Sequence, residues 1–154
     1  MIRKAKISDA PDIIAIINHF ASEGLMLPRA LNEVYEQLRD FYIWEEDEEV
    51  VGCAALHVAW EGLGEIRSLA VKEKFQGEGV GESLVNSCLE EARELGMSRV
   101  FALTYVPEFF QKFGFRHHPK DDLPHKIWTD CLKCPRFPNC DEEAMLLELE
   151  ENAE

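Results

Sequence analysis

Apolar positions recur along this chain with two different periods, and the switches between them mark its elements. Residues 2–7 alternate apolar and basic side chains, the period of a strand with one buried face. Ser8-Asp9 then starts a helix, with Pro11 tolerated in its first turn. Ile13, Ile14, Ile17 and Phe20 form its apolar stripe, and Gly24 ends it. The helical period returns over residues 31–40 through Leu31, Val34, Tyr35 and Leu38. Residues 41–45 and 50–58 read as two strands of a hairpin joined by the acidic turn Glu46-Asp47-Glu48.

Residues 64–71 are the next strand. A helix follows over 80–95, with Leu84, Val85, Cys88, Leu89 and Ala92 on one face and Gly96 at its C-terminal cap. Arg99–Thr104 is a short apolar strand, and Pro107 opens a helix that ends at Gly114. Phe115-Arg116-His117 begins a strand, and the apolar run 144–149 forms the last one after a long irregular stretch, 118–142. A loop of that length inside a domain usually has a task or a staple. The order β-α-α-β-β-β-α-β-α-β-β predicts an α/β domain on a mixed sheet, with residues 1–154 as a single domain.

Composition narrows the class. With 154 residues, 46% of them hydrophobic, the chain can bury one good core. No run approaches the roughly 20 apolar residues that span a bilayer. The basic start, Met1 to Lys6, leads into a polar segment instead of a signal core, so a cytoplasmic location is expected. The formal charge of −14 disfavours nucleic acid, although residues 141–154 alone carry seven acids and no base. Arg67, Lys72 and Lys74 instead sit beside a glycine turn, where an anionic ligand would need them.

That turn is Gln76-Gly77-Glu78-Gly79-Val80-Gly81, set between the strand and the helix at 80. Glycines let the backbone curl and approach a ligand without Cβ obstruction. Successive amides, the unpaired N–H groups of the helix start and the helix dipole then converge on one concavity. The result is a phosphate or pyrophosphate cradle. The spacing G-x-G-x-G is not the G-x-G-x-x-G of a dinucleotide fold, and the Lys-Ser/Thr of a nucleotide P-loop is absent.

The same residues resemble the signature Q/R-x-x-G-x-G/A of the GNAT superfamily of acetyl-CoA-dependent acetyltransferases. The strand Ile66-Arg67-Ser68-Leu69-Ala70-Val71 precedes it at the usual spacing. The later F-Y-x-K-x-G-F element appears as Phe109-Phe110-Gln111-Lys112-Phe113-Gly114-Phe115. With the opening strand and helix, the resemblance covers about residues 1–117 and the final strand. Leu27-Pro28-Arg29-Ala30-Leu31, Glu65 to Val71 and the segment 101–115 are more closely similar to short, stand-alone N-acetylglutamate synthases of arginine biosynthesis. These lack the kinase-like domain of the long synthases, and with it any arginine feedback through that domain.

The resemblance implies a GNAT-like acyl-CoA N-acyltransferase fold with splayed central strands, and acetyl-CoA as co-substrate. Leu69, Ala70 and Val71 would meet the pantetheine through their backbone, and Gln76, Gly77, Glu78, Gly79, Val80 and Gly81 would hold the pyrophosphate. The Leu69 N–H would stabilise negative charge on the acetyl carbonyl. Glu65 stands where several such enzymes carry a catalytic glutamate and would deprotonate the amine. The tyrosine that often protonates the thiolate is here Phe110, which leaves Tyr105 as the nearest candidate acid. Arg67 and Arg29 would grip the carboxylates of a dicarboxylate acceptor. Each candidate also has a structural reading, as a strand-end carboxylate, a sheet-edge tyrosine or surface ion-pair arginines. His57 and His117 read as ordinary sheet histidines.

Five cysteines without an export signal argue against a disulfide framework. Cys53 and Cys88 fall in apolar segments and read as core. Cys131, Cys134 and Cys140, with His125 upstream, have the spacing H-x5-C-x2-C-x5-C, which could close a structural zinc site; three free thiols are the alternative. The expected activity is acetylation of the α-amine of an amino acid, L-glutamate first. The alternatives are another amine, such as a protein terminus or polyamine, or a non-catalytic acetyl-CoA-binding module. Expected partners are a small-molecule amino-acid substrate and, as an open option, a second copy in a homodimer, with no nucleic acid and no membrane.

Overall fold

The opening alternation is cut short by a buried carboxylate. The computed structural model describes residues 1–119, 122 and 143–149. In it β1 is only Ile2–Lys4, and Ile7–Asp9 is a 3-10 turn that leads into α1, Ala10–Ser22. Asp9 accepts the Lys6 backbone N–H at 2.7 Å and a two-pronged bond from Arg3, at 2.8 and 3.0 Å. Arg3 also donates to Glu45 at 2.7 Å. Such a fork is a strong pairing. The Arg3 hydrogen bond holds the Asp9 carboxyl below its ordinary range against the opposing effect of burial. Ile7, which continues the alternating pattern, is 71% exposed.

Along α1 the buried face is Ala10, Ile13, Ile16, Ile17 and Phe20; Ile14 is only partly buried, so Ile16 takes the place expected for it. The second helix is also shorter than its period suggests. α2 spans Leu31–Glu36, and Leu38–Asp40 is a separate 3-10 turn after Gln37 leaves helical geometry at φ −109°, ψ 19°. β2 (Phe41–Glu46) and β3 (Glu49–Trp60) form the expected hairpin. Its two loop residues, Asp47 (φ 47°) and Glu48 (φ 66°), are both left-handed, as a type I′ turn requires.

β4 (Leu63–Val71), α3 (Val80–Glu94), β5 (Arg99–Thr104), α4 (Pro107–Gln111), β6 (Arg116–His117) and β7 (Glu143–Glu148) complete the described elements. The seven strands form one mixed sheet in the order β1-β2-β3-β4-β5-β7-β6. This is the predicted α/β class and element order. No helix among the described residues is long and apolar enough to cross a membrane.

The chain divides into two compact units, Met1–His57 with Ile66–Glu91, and Val58–Glu65 with Ala92–Glu154. In the first, the α1 stripe packs with Val34, Phe41, Ile43, Val50, Cys53, Ala55 and Ala70. Each such isoleucine or phenylalanine contributes about 1.5–3 kcal/mol through burial. In the second, Ala59, Leu63, Phe101 and Ala144 form the core, and all six residues of β5 pair with β7.

Candidate active site

The central strand β4 does not alternate cleanly. Ile66 and Arg67 are adjacent and both buried, at 2% and 9% exposure, whereas Ser68 and Leu69 are both half-buried. The next residue, Ser68, is left-handed, with a φ of 57°. An L-residue held there costs about 1–3 kcal/mol and resets which face the following side chains present. Cys53 compensates from β3: its thiol donates to the Ser68 carbonyl at 3.3 Å. Complete burial pushes that thiol up to about 12, so it stays protonated and remains a donor.

β4 pairs in parallel with β5 only over Leu63–Glu65, opposite Arg99–Phe101. Both strands run on past that ladder, β4 to Val71 and β5 to Thr104.

After β4 the chain is tied down before it turns. The Lys72 N–H donates to Val51 O at 2.8 Å, and Glu73–Phe75 makes one 3-10 turn. The Gln76 side chain then reaches back, its amide donating to Val71 O at 2.9 Å. Gly77 (φ 81°) and Gly79 (φ 84°) follow, left-handed and exposed, and a Cβ built on either meets nothing within 4 Å. The open side of this turn is therefore bare backbone. The Gly79 carbonyl accepts the first α3 bond, from Ser83 N at 3.0 Å. Val80 and Leu84 are buried, and they anchor the helix start on β3 at Gly52. A Cβ on Gly52 would lie 3.2 Å from Val80 Cγ1 and 3.3 Å from both Leu84 Cδ1 and Ala70 O. A side chain there would push the helix end back by a few tenths of an ångström, so glycine lets it sit closest. Exposed turn backbone at the start of a 15-residue helix fits a pyrophosphate. The Glu78 side chain is exposed and has the wrong charge for that ligand, so any contribution from this residue is through its backbone.

The other candidates fall as follows. Glu65 is half-buried on β4, opposite Phe101, two positions before Arg67 and four before Leu69 on the same strand. Arg29 precedes α2. Its backbone N–H donates to Asn18 at 3.2 Å, and its guanidinium lies 3.6 Å from Glu33. Glu33 also accepts the Ala30 N–H at 3.1 Å, capping the helix. The surface ion-pair reading of Arg29 is thus present in the geometry. Tyr105 is half-buried just after β5. Phe110 is 3% exposed and packs edge-on against Phe109 and Phe115 at 5.4 and 5.3 Å, so it is a core residue of its unit. His125, Cys131, Cys134 and Cys140 lie outside the described residues.

Sequence reasoning missed three features here. Gly52 and Ser68 carry no local mark, since an isolated glycine or serine in a strand has many explanations. His57 is more than a sheet histidine: its Nδ1 lies 3.0 Å from Asp40, a pairing that only the tertiary fold creates.

Residues 14–115 match the family model described as Acetyltransferase (GNAT) family. The chain is 39% identical to an uncharacterized N-acetyltransferase of Chlorobaculum tepidum over 94% of each protein. It is 40% identical to the amino-acid acetyltransferase of Mycobacterium tuberculosis over 75% of this chain and 67% of that one. The N-acetylglutamate synthase of Neisseria gonorrhoeae, solved with coenzyme A and N-acetyl-glutamate, superposes with a TM-score of 0.89 at 32% identity. That match covers 97% of this chain but only 35% of the synthase chain. The glycine turn and these relationships agree: the chain belongs to the GNAT family of N-acetyltransferases.

Proposed function

We propose that this chain transfers the acetyl group of acetyl-CoA to the α-amine of L-glutamate, the acetylation step that opens arginine biosynthesis. The observation that carries the reading is the exposed backbone of Gln76 to Gly79 at the start of α3, braced by the Gln76–Val71 bond. Acetyl-CoA, when bound, supplies an acyl group activated as a thioester. Leu69, Ala70 and Val71 offer backbone groups along β4 for its pantetheine arm, and the amides from Gly77 to Gly81 hold its pyrophosphate. The Leu69 N–H donates to the acetyl carbonyl oxygen as negative charge builds there. Glu65 takes a proton from the ammonium, directly or through water, because only the neutral amine attacks. Tyr105 returns a proton to the departing sulfur. Zinc at His125, Cys131, Cys134 and Cys140 stays a proposal from spacing alone.

Choice of acceptor rests on Arg67, a buried guanidinium on the strand that also carries Glu65 and Leu69, and on Arg29. The similarity to an amino-acid acetyltransferase and to an N-acetylglutamate synthase supports an amino acid over a polyamine. Thiol release from acetyl-CoA across a panel of free amino acids and spermidine tests it. Glutamate should be turned over fastest. Equal or better turnover of spermidine would end the glutamate reading.

The cradle has its own test. Gly79→Ala adds a Cβ on the open side of the turn and forces an L-residue to φ 84°. The strain costs about 1–2 kcal/mol, and the methyl stands where a phosphate must approach. Calorimetry should register coenzyme A binding at least about tenfold weaker, roughly 1.4 kcal/mol. Gly96→Ala imposes the same left-handed strain outside the turn, at φ 84°, also with nothing within 4 Å. It should leave affinity unchanged, and a loss of equal size there would assign the effect to strain alone.

A further inference from the structure

The geometry points to a second, unrelated ligand site: His19, Glu23 and Glu73 form a surface site for a divalent transition-metal ion of the zinc class. His19 and Glu23 stand one turn apart at the C-terminal end of α1, and Glu73 comes from the 3-10 turn that follows β4. His19 Nε2 lies 3.4 Å from Glu73 Oε1 and 3.9 Å from Glu23 Oε1. One ligand atom from each of the three residues fits within a 4.8 Å span. Ligands at about 2.0–2.1 Å from zinc in a tetrahedron sit about 3.3–3.4 Å from one another. The His19–Glu73 separation already has that length; Glu23 must close on His19 by about half an ångström and on Glu73 by up to about 1.4 Å, within reach of an exposed side chain. Two hard carboxylates and one imidazole suit zinc, cobalt or nickel better than calcium or magnesium, which prefer all-oxygen sites.

The surroundings favour a cation. His19 and Glu73 line a groove of about 330 Å³ together with Asp12, Ala15, Ile16, Phe20 and Lys72. Asp12 adds a third carboxylate near the cluster. The nearby cation, Lys72, is engaged by Glu49 at 3.1 Å. The end of α1 also presents the negative pole of its helix dipole. Each ligand is exposed, at 57% for His19, 43% for Glu23 and 66% for Glu73, so the ion would keep water in its remaining position and exchange readily. Its effect would be a clip. It joins the end of α1 to the turn immediately before Gln76, stiffening the approach to the glycine turn without touching it.

The competing account is that an imidazolium merely pairs with two carboxylates, which needs no metal. Calorimetric titration of the full-length chain with zinc chloride at neutral pH separates the two. The site predicts a binding event that weakens at least about tenfold, or disappears, in both His19→Gln and Glu73→Gln, whereas any zinc taken up by the cysteines at 131, 134 and 140 would be untouched by either change. His117→Gln, which removes another exposed histidine near a carboxylate (Glu143, at 4.0 Å), should leave that event intact. A direct readout accompanies it: the His19 ring resonances in wild-type protein should shift on adding zinc. Identical titrations for wild type and both variants would overturn the site, since the zinc would then sit on other ligands. His19 resonances unmoved at about 1 mM zinc would do the same, because so weak an ion could not stabilise the fold. The inference does not rest on the acetyl-transfer reading and survives its failure.

Discussion

Replacing Glu65 by glutamine is expected to lower turnover about 10²-fold or more while coenzyme A still binds with wild-type affinity. Glutamine keeps the size of the side chain and its capacity to accept a hydrogen bond, but it cannot take up a proton at neutral pH. Glu65 closes the short ladder to β5, opposite Phe101, at the point from which β4 runs on toward Leu69 and Val71. A base at that position serves only the amine. The deficit should therefore shrink as pH rises, because the acceptor then deprotonates without help. Steady-state thiol release at two pH values, with calorimetry of coenzyme A, measures both parts. A wild-type rate at neutral pH would acquit Glu65. A rate loss that pH does not relieve would give it a positioning role. Tyr105→Phe should cost less, since a thiolate can leave without a proton and water can supply one afterwards.

Much of this was legible in the sequence because it was local. The turn glycines Gly77 and Gly79, the apolar face of α3 and the Gly96 cap at φ 84° are written in short windows, and the structure keeps all of them, while Gly81 falls inside α3. The legible features fail where a distant residue takes over. Alternation through residue 7 looked like one strand, but Asp9 draws in Arg3 and the Lys6 amide and bends the chain after Lys4. A continuous helical period over 31–40 conceals the break at Gln37. Strict alternation along β4 would put Ile66 and Arg67 on opposite faces with opposite burial. Both are nevertheless buried, and after them Ser68 turns left-handed, its carbonyl met by a cysteine from another strand. Only a three-dimensional partner makes that conformation tolerable, so no window around Ser68 announces it. The Asp40–His57 and Glu73–His19 pairings are hidden for the same reason, their partners being 17 and 54 residues apart in sequence.

Arg67 is expected to set acceptor choice. A planar guanidinium can hold a carboxylate with two parallel bonds, whereas an amide cannot complete the charged pair, so glutamate should be preferred to glutamine. Each charge-assisted bond lost in a partly buried site is worth about 1.5–3 kcal/mol, roughly 10- to 150-fold. Arg67→Ala should accordingly raise the KM for glutamate by that factor and leave the KM for acetyl-CoA nearly unchanged. Because Arg67 is only 9% exposed, the alanine also leaves a cavity, and a second variant is needed. Arg67→Met fills similar volume without charge and should lose glutamate selectivity while its thermal midpoint stays near wild type. Arg67→Lys should recover only part of the selectivity, because an ammonium cannot present the same fork. Arg29→Ala should have a smaller effect, since Glu33 already competes for that guanidinium at 3.6 Å. Measured kcat/KM values for glutamate, glutamine, lysine and spermidine decide the matter. Unchanged ratios in a folded Arg67→Met variant would remove Arg67 from the acceptor site and return it to the core as a structural charge.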